Sequence, residues 1–405
     1  MSRRNTCAPE RQLALALVAT RARREANRPA IAELASRIDF PTLEQQLRAQ
    51  GMLSLIGWRL LKLTEHTPDD FVERVRDYDR QAQRQGVDQQ LLTVRLTAGL
   101  SDAGIRALPL KGPLLSERIH GELGARVSAD IDLLVEDADL VAAIDVLSTL
   151  GYRRAPRAMP PHLSRPDLHE CLRSTVGLPE VELHWRVSYY EEQSFSTGML
   201  RRSSPGPDGC LFPTAPDELI ALLLFYARDG MVGLRLLADL TGWWDRVGDT
   251  LTPGEIDELA HEHPAIVSAV ATAALAAKRL GGLPAEDIFG PETLSRASHP
   301  AIRLSNWCVR GRKSQIAANL LMVDYLLCPR SQRGTLVTRH LWREEGALCG
   351  EWAETAVTRG TLMRVRILHM ARVFGRCLIA LWQLRRGGEW APVPADLRAG
   401  GKDEE

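Results

Sequence analysis

Lysine is nearly missing from this chain of 405 residues. Lys and Arg together number 51, yet lysine stands only at Lys62, Lys111, Lys278, Lys313 and Lys402. A lysine inside a motif is therefore informative. Net charge is missing as well, since 51 acidic residues offset the 51 basic ones. No global field holds such a chain on nucleic acid or an anionic bilayer, and a contact such as a tRNA end would need a local patch. The seven cysteines include no C-x-x-C pair, which excludes the usual zinc and dithiol spacings and leaves reduced, packed thiols. Long apolar runs are absent too. Leu13 to Ala19 and Ala221 to Tyr226 fall far short of the roughly 20 residues that a bilayer demands. Ala8-Pro-Glu-Arg interrupts any signal-peptide core behind the charged start, so the expected location is the cytoplasm, with no membrane partner.

What is present is a globular balance, 45% hydrophobic and 25% charged, in a chain long enough for two or three packed modules. Residues 1–103 read as an N-terminal helical region, with Leu43 and Leu47, then Leu53, Ile56 and Leu60, then Leu92, Leu96 and Leu100 at helical spacing. Residues 104–202 change character. Ile105–Leu110, broken by Pro109, suggests a strand near a sheet edge, and Ala129–Val135 and Val181–Val187 read as two more. A helix from Leu140 to Leu150 lies between, ended by Gly151, and the proline-rich Arg154–Pro179 reads as a loop. Ser203–Gly209 has linker composition, residues 210–386 read as a C-terminal helical domain, and 387–405 as a flexible tail. The expected fold is α+β, a small mixed β-sheet core flanked by helical regions.

The chemistry concentrates in residues 110–135 and 181–187. In a strand over 129–135, residues two apart share a face, so Asp130 and Asp132 point one way while Ile131 and Leu133 enter the core. Adjacent carboxylates repel unless a cation sits between them, which suggests Mg²⁺ or Mn²⁺. In the later strand Val181, Leu183, Trp185 and Val187 take one face, leaving Glu182, His184 and Arg186 on the other. Glu182 would complete a three-carboxylate site able to hold two cations. Lys111-Gly112 ends the first strand ahead of a short helix, Leu114–Ile119, where a glycine lets backbone amides approach phosphate.

Leu110-Lys-Gly112, Arg126, Asp130-Ile-Asp-Leu-Leu-Val135, Gly151-Tyr152 and Glu182-Leu-His-Trp185 together resemble the polymerase-β-like nucleotidyltransferase superfamily. Within it they resemble a bacterial branch with a Lys-Gly … Arg … Asp-Ile-Asp-Leu-Leu-Val signature. The resemblance is densest over residues 105–187. It implies metal-dependent transfer of a nucleoside monophosphate from an NTP, ATP being the expected co-substrate, to an acceptor, with pyrophosphate leaving. A small-molecule, peptide or other non-polymeric acceptor is expected. Asp130, Asp132 and Glu182 would be the metal ligands, and Lys111, Gly112, Arg126, Ser128 and His184 would serve the nucleotide side. Two features depart from the superfamily. Gly112 is followed by Pro113 where Gly-Ser or Gly-Gly is usual, which removes an amide and a hydroxyl, and the gap from Gly112 to Asp130 is long. The alternative is a degenerate member that binds nucleotide or a partner protein without catalysis.

Plainer readings stand beside these. An Asp-x-Asp pair alone is most often a solvated strand edge, and Arg126 could pair with Asp130 in a structural bridge. His184 could be a satisfied strand histidine, and Trp185 core. His261-Glu-His263 is read as surface, because residues two apart on a helix do not share a face. Asp239, inside the apolar Leu236–Leu240, could be a late substrate contact but is read as a structural acid held by an arginine, and Arg364, Arg366, Arg372, Arg376 and Arg385-Arg386 could meet a nucleic acid but are read as a solvated helix face.

Overall fold

A computed structural model describes residues 8–154, 168–191, 194–206, 208–252, 254–305, 313–341 and 359–385. The expected tail at 387–405 and the first half of the Arg154–Pro179 excursion lie outside the described residues. Short helices from Pro9–Val18 to Phe40–Ala49 lead into α1 (Leu53–Leu63) and α2 (Asp69–Asp102). The 34-residue α2 begins with Asp69 and Asp70 in its first turn, where carboxylates favour the positive end of the helix dipole.

The sheet has five strands: β1 (Leu108–Pro109), β2 (Asp130–Leu134), β3 (Tyr152–Arg154), β4 (His169–Ser174) and β5 (Glu180–His184), in the order β1-β2-β5-β4-β3. The α+β architecture expected from the sequence holds, and β1 is at an edge, where Pro109 removes no ladder hydrogen bond that a central strand would need. β2 and β5 run parallel and all other neighbours antiparallel, so the sheet is mixed. Two expectations need correction. The stretch read as a loop carries β4 in its second half, and Tyr152–Arg154 is a strand at the opposite edge. β4 escapes a hydrophobic reading because only Glu170 and Leu172 of its six residues are buried, and one of those is an acid. The strand expected over Val181–Val187 ends at His184, and Trp185 is half-buried.

α3 (Pro113–His120) and α4 (Leu140–Thr149) complete the region. One sheet face is sealed by Ile131, Leu133, Val181 and Leu183 against Leu96 and Leu100 of α2 and Ala143, Ile144 and Leu147 of α4. Downstream, α5 (Ala215–Arg228), α6 (Leu234–Val247) and α7 (Val267–Gly281) follow. Their core is shared with the N-terminal helices: Leu13, Leu17, Ile56 and Leu60 join Leu223, Leu237, Trp243 and Val270 in one buried cluster. Polar joints close this union, with Thr20 N–H donating to Gly281 O at 2.7 Å and the Thr241 hydroxyl to Val18 O at 2.5 Å. The helices on either side of the sheet in sequence thus meet in space. Among the described residues no helix is long and apolar enough to cross a membrane.

Candidate active site

The segment that feeds β2 is clamped to α2. Gly124 packs so closely on α2 that a Cβ there would lie 2.4 Å from the carbonyl carbon of Ala82. Gln83 accepts from Gly124 N–H at 3.0 Å, and the Nε2 groups of Gln85 and Gln89 both donate to Ser128 O at 2.9 Å. Ser128 Oγ in turn donates to Asp130 Oδ1 at 2.8 Å, which orients the first carboxylate.

The parallel register of β2 and β5 pairs Asp130 with Glu180 and Asp132 with Glu182. Because side chains alternate, Asp130, Asp132, Glu182 and His184 fall on the face opposite Ile131, Leu133, Val181 and Leu183, as the strand periodicity predicts. Asp132 is buried, and its Oδ1 lies 3.2 Å from Lys111 Nζ and 2.9 Å from His184 Nε2. Burial opposes ionisation of Asp132, but the charge of Lys111 and the contact with His184 outweigh it and hold the carboxyl well below the usual range. The charge of Asp132 is thus compensated within the protein by Lys111 and His184.

Glu182 is half-buried, 3.3 Å from His184 Nε2 and 3.8 Å from His169 Nε2. Hydrogen bonding to His184 depresses its pKa, with a further contribution from His169, against the opposing effect of burial. β4 supplies His169 directly opposite His184, their rings 4.8 Å apart. Burial first, and the neighbouring His184 second, lower the pKa of His169.

Lys111 and Gly112 sit between β1 and α3. Gly112 caps α3 with φ +89°, in the region that disfavours L side chains, and an added Cβ would meet nothing within 4 Å. Glycine is required there by backbone angle, and the space beside it is open. Lys111 Nζ also lies 4.7 Å from the centroid of the Phe225 ring, and Arg228 approaches the same ring at 5.0 Å. The C-terminal end of α5 thus brings two groups to the site that sequence reading missed. So did β4 with His169. An arginine closing an apolar helix and a histidine in an irregular stretch carry no local signature.

Arg126 goes elsewhere. It is buried, with Nε 2.8 Å from Asp239 Oδ2, and His120 Nε2 lies 3.8 Å from Asp239 Oδ1. Asp239 is the arginine-held structural acid that its apolar helix suggested, and the bridge considered between Arg126 and Asp130 is replaced by this one. Burial opposes ionisation of Asp239, yet Arg126 and His120 together hold its pKa below the ordinary value. His261 and His263 take separate partners, the hydroxyls of Thr293 at 3.0 Å and Ser194 at 3.1 Å, and hold nothing jointly.

The donor set fits a divalent cation. Among the described residues the group placed to hold it is His169, Glu182 and His184, whose ligand atoms all lie within 4.8 Å of one another; Asp130 and Asp132 fall outside that group, and Asp132 Oδ1 is held by Lys111 and His184. Carboxylate oxygens suit Mg²⁺, while imidazole nearby extends the range towards Mn²⁺ and its neighbours.

A comparison with curated proteins returns no match. Residues 36–281, more than half of the chain and all five strands of the sheet, match a family described as an uncharacterised nucleotidyltransferase. The chain belongs to this nucleotidyltransferase family.

Proposed function

We propose that the protein transfers a nucleoside monophosphate from an NTP to a small-molecule, peptide or other non-polymeric acceptor, with Mg²⁺ or Mn²⁺ required and ATP the favoured donor. The observation that carries this reading is the parallel pairing of Asp132 with Glu182, which sets the Asp130-Ile-Asp132 pair beside a third carboxylate on one polar sheet face. Asp130, Asp132 and Glu182 would hold the metal, which supplies charge neutralisation for the triphosphate and acidifies the attacking hydroxyl. Lys111 neutralises phosphate charge after leaving Asp132, and the open backbone at Gly112 admits the phosphates. Glu182, half-buried beside His184 and His169, takes the proton of the acceptor hydroxyl. Ser128 and His184 are positioning residues for Asp130 and Asp132. Arg126, committed to Asp239, fixes the approach to β2 from behind, and Arg228 takes the phosphate-side role that the sequence suggested for Arg126.

Purified protein incubated with α-labelled NTPs, Mg²⁺ or Mn²⁺ and a panel of acceptors should yield nucleotide-modified product and pyrophosphate, with none from Asp132→Asn. Absence of product for every acceptor, together with absence of metal-dependent NTP binding, overturns the proposal. Pro113 favours the second reading, a binding-only member, because it removes an amide from the first turn of α3 beside Gly112. NTP binding without turnover, unchanged in Asp132→Asn, would establish that reading instead.

A further inference from the structure

At the His120 end of α3, the end away from Lys111 and Gly112, a cavity of about 340 Å³ opens between the N-terminal helices and α6. It shares no lining residue with the carboxylate face of the sheet. Four cations line it: Arg21 and Arg24 from the helix Arg21–Ala26, and Arg59 and Lys62 from α1. Three acids line it as well, and each is engaged. Asp245 accepts the Arg21 backbone N–H on both carboxylate oxygens at 2.8 Å and lies 3.4 Å from Arg24. Glu25 is 3.9 Å from Arg28, and Glu122 accepts from Gln83 at 2.9 Å. Arg21, Arg59 and Lys62 have no ion pair with an acid within 4.0 Å among the described residues, and the lining, four cations against three acids, carries a net positive charge.

Arg59 is the most constrained of the three. Its Nη1 donates to Leu17 O at 2.9 Å, which uses one of the five N–H donors of a guanidinium and turns the group towards the cavity it lines. Burial, reinforced by the nearby charge of Arg24 and only partly relieved by Asp245, depresses its pKa, and the group remains protonated at neutral pH. A half-buried guanidinium with no acidic partner gains from an anion beside it. Trp58 adds a flat apolar wall next to these charges.

We propose that this cavity binds a small, multiply charged oxyanion, with Arg59 and Lys62 as its principal contacts and Arg21 at the mouth. Phosphate esters and di- or tricarboxylates share the required chemistry: several acceptor oxygens, at least two negative charges and a size that the cavity accepts. The site is independent of the nucleotide reading above, since it uses none of the residues assigned to catalysis.

The test uses the full chain in calorimetric titration and thermal unfolding with inorganic phosphate and with citrate, against KCl at matched ionic strength. Binding with a raised Tm is expected for at least one of the two, and which one binds identifies the source of the oxyanion. Lys62→Glu, at an exposed position, should weaken binding by about tenfold or more without changing the Tm of the free protein. Arg59→Gln should abolish binding where the variant folds, and Asp132→Asn should bind as the wild type does. Binding of neither probe beyond the KCl control overturns the proposal. So does binding that survives Lys62→Glu, or that disappears in Asp132→Asn and so belongs to the carboxylate face.

Discussion

Asp132 and Asp239 are buried carboxylates with the same kinds of partner, one cationic side chain and one histidine each. Asp132 has Lys111 and His184, and Asp239 has Arg126 and His120. They differ in access and in the cation. The Lys111 side chain is 14% exposed and Glu182 beside the cluster 25%, whereas Arg126 is 4% exposed and His120 1%. A lysine is a point charge on a flexible stem and can leave for a phosphate, while an arginine buried to this degree is a fixed fork. One cluster is a joint between α3, α6 and the approach to β2. The other is the same chemistry left open, with neighbours that give it work.

The sharpest break in this comparison comes from mutating the two acids. Asp132→Asn should lower turnover by several orders of magnitude, measured as kcat with saturating NTP, while circular dichroism stays native. Asp130→Asn should lose comparable activity with stability little changed, because Asp130 accepts from Ser128 and has no ion pair within 4.0 Å among the described residues. Asp239→Ala should instead cost stability, about 3–5 kcal/mol by denaturant unfolding, since it strands Arg126 in a dry site. Equal losses of stability for Asp132→Asn and Asp239→Ala would erase the distinction.

Metal linkage separates the clusters next. Mg²⁺ or Mn²⁺ should raise the Tm of the wild type, and EDTA should reverse the rise. Asp132→Asn should abolish the shift. Lys111→Met should preserve or enlarge it, because the cation competing for Asp132 is gone, while slowing turnover by about 10- to 100-fold. Arg126→Met, if folded, should leave the shift intact.

The smallest effect is on pH dependence. Burial lowers the pKa of His120, so the unfolded chain takes up a proton before the folded one does. Stability from this group is full above about pH 6.5 and declines as pH falls through the folded pKa. The depressed carboxyls of Asp132 and Asp239 act in a lower window: their contribution is full above about pH 4 and is lost on further acidification. Equilibrium unfolding from pH 7 to 5 should show a gentle decline, shared with the lowered His169 and His263, that His120→Gln makes shallower. An unchanged slope in that variant would remove His120 from the account.

The strand periodicity of residues 129–135 and 181–184 was enough to place Asp130, Asp132, Glu182 and His184 on one face and to bury Ile131, Leu133, Val181 and Leu183 on the other, because alternation is a local property of extended backbone. Gly112 was marked in the sequence by its place after Lys111 and before a helix, while its left-handed backbone angle came only from the structure. The proline at 109 likewise marked β1 as an edge. Partnership across the chain was not legible. The pairing of Arg126 with Asp239 spans more than a hundred residues, His169 lies on a strand with little apolar signal, and Arg228 reaches the site only because α5 packs its Phe225 beside Lys111. The cavity around Arg59 depends on helices from both ends of the sequence sharing one core. Local rules decide which way a side chain points, and only the packing of distant elements decides what it meets there.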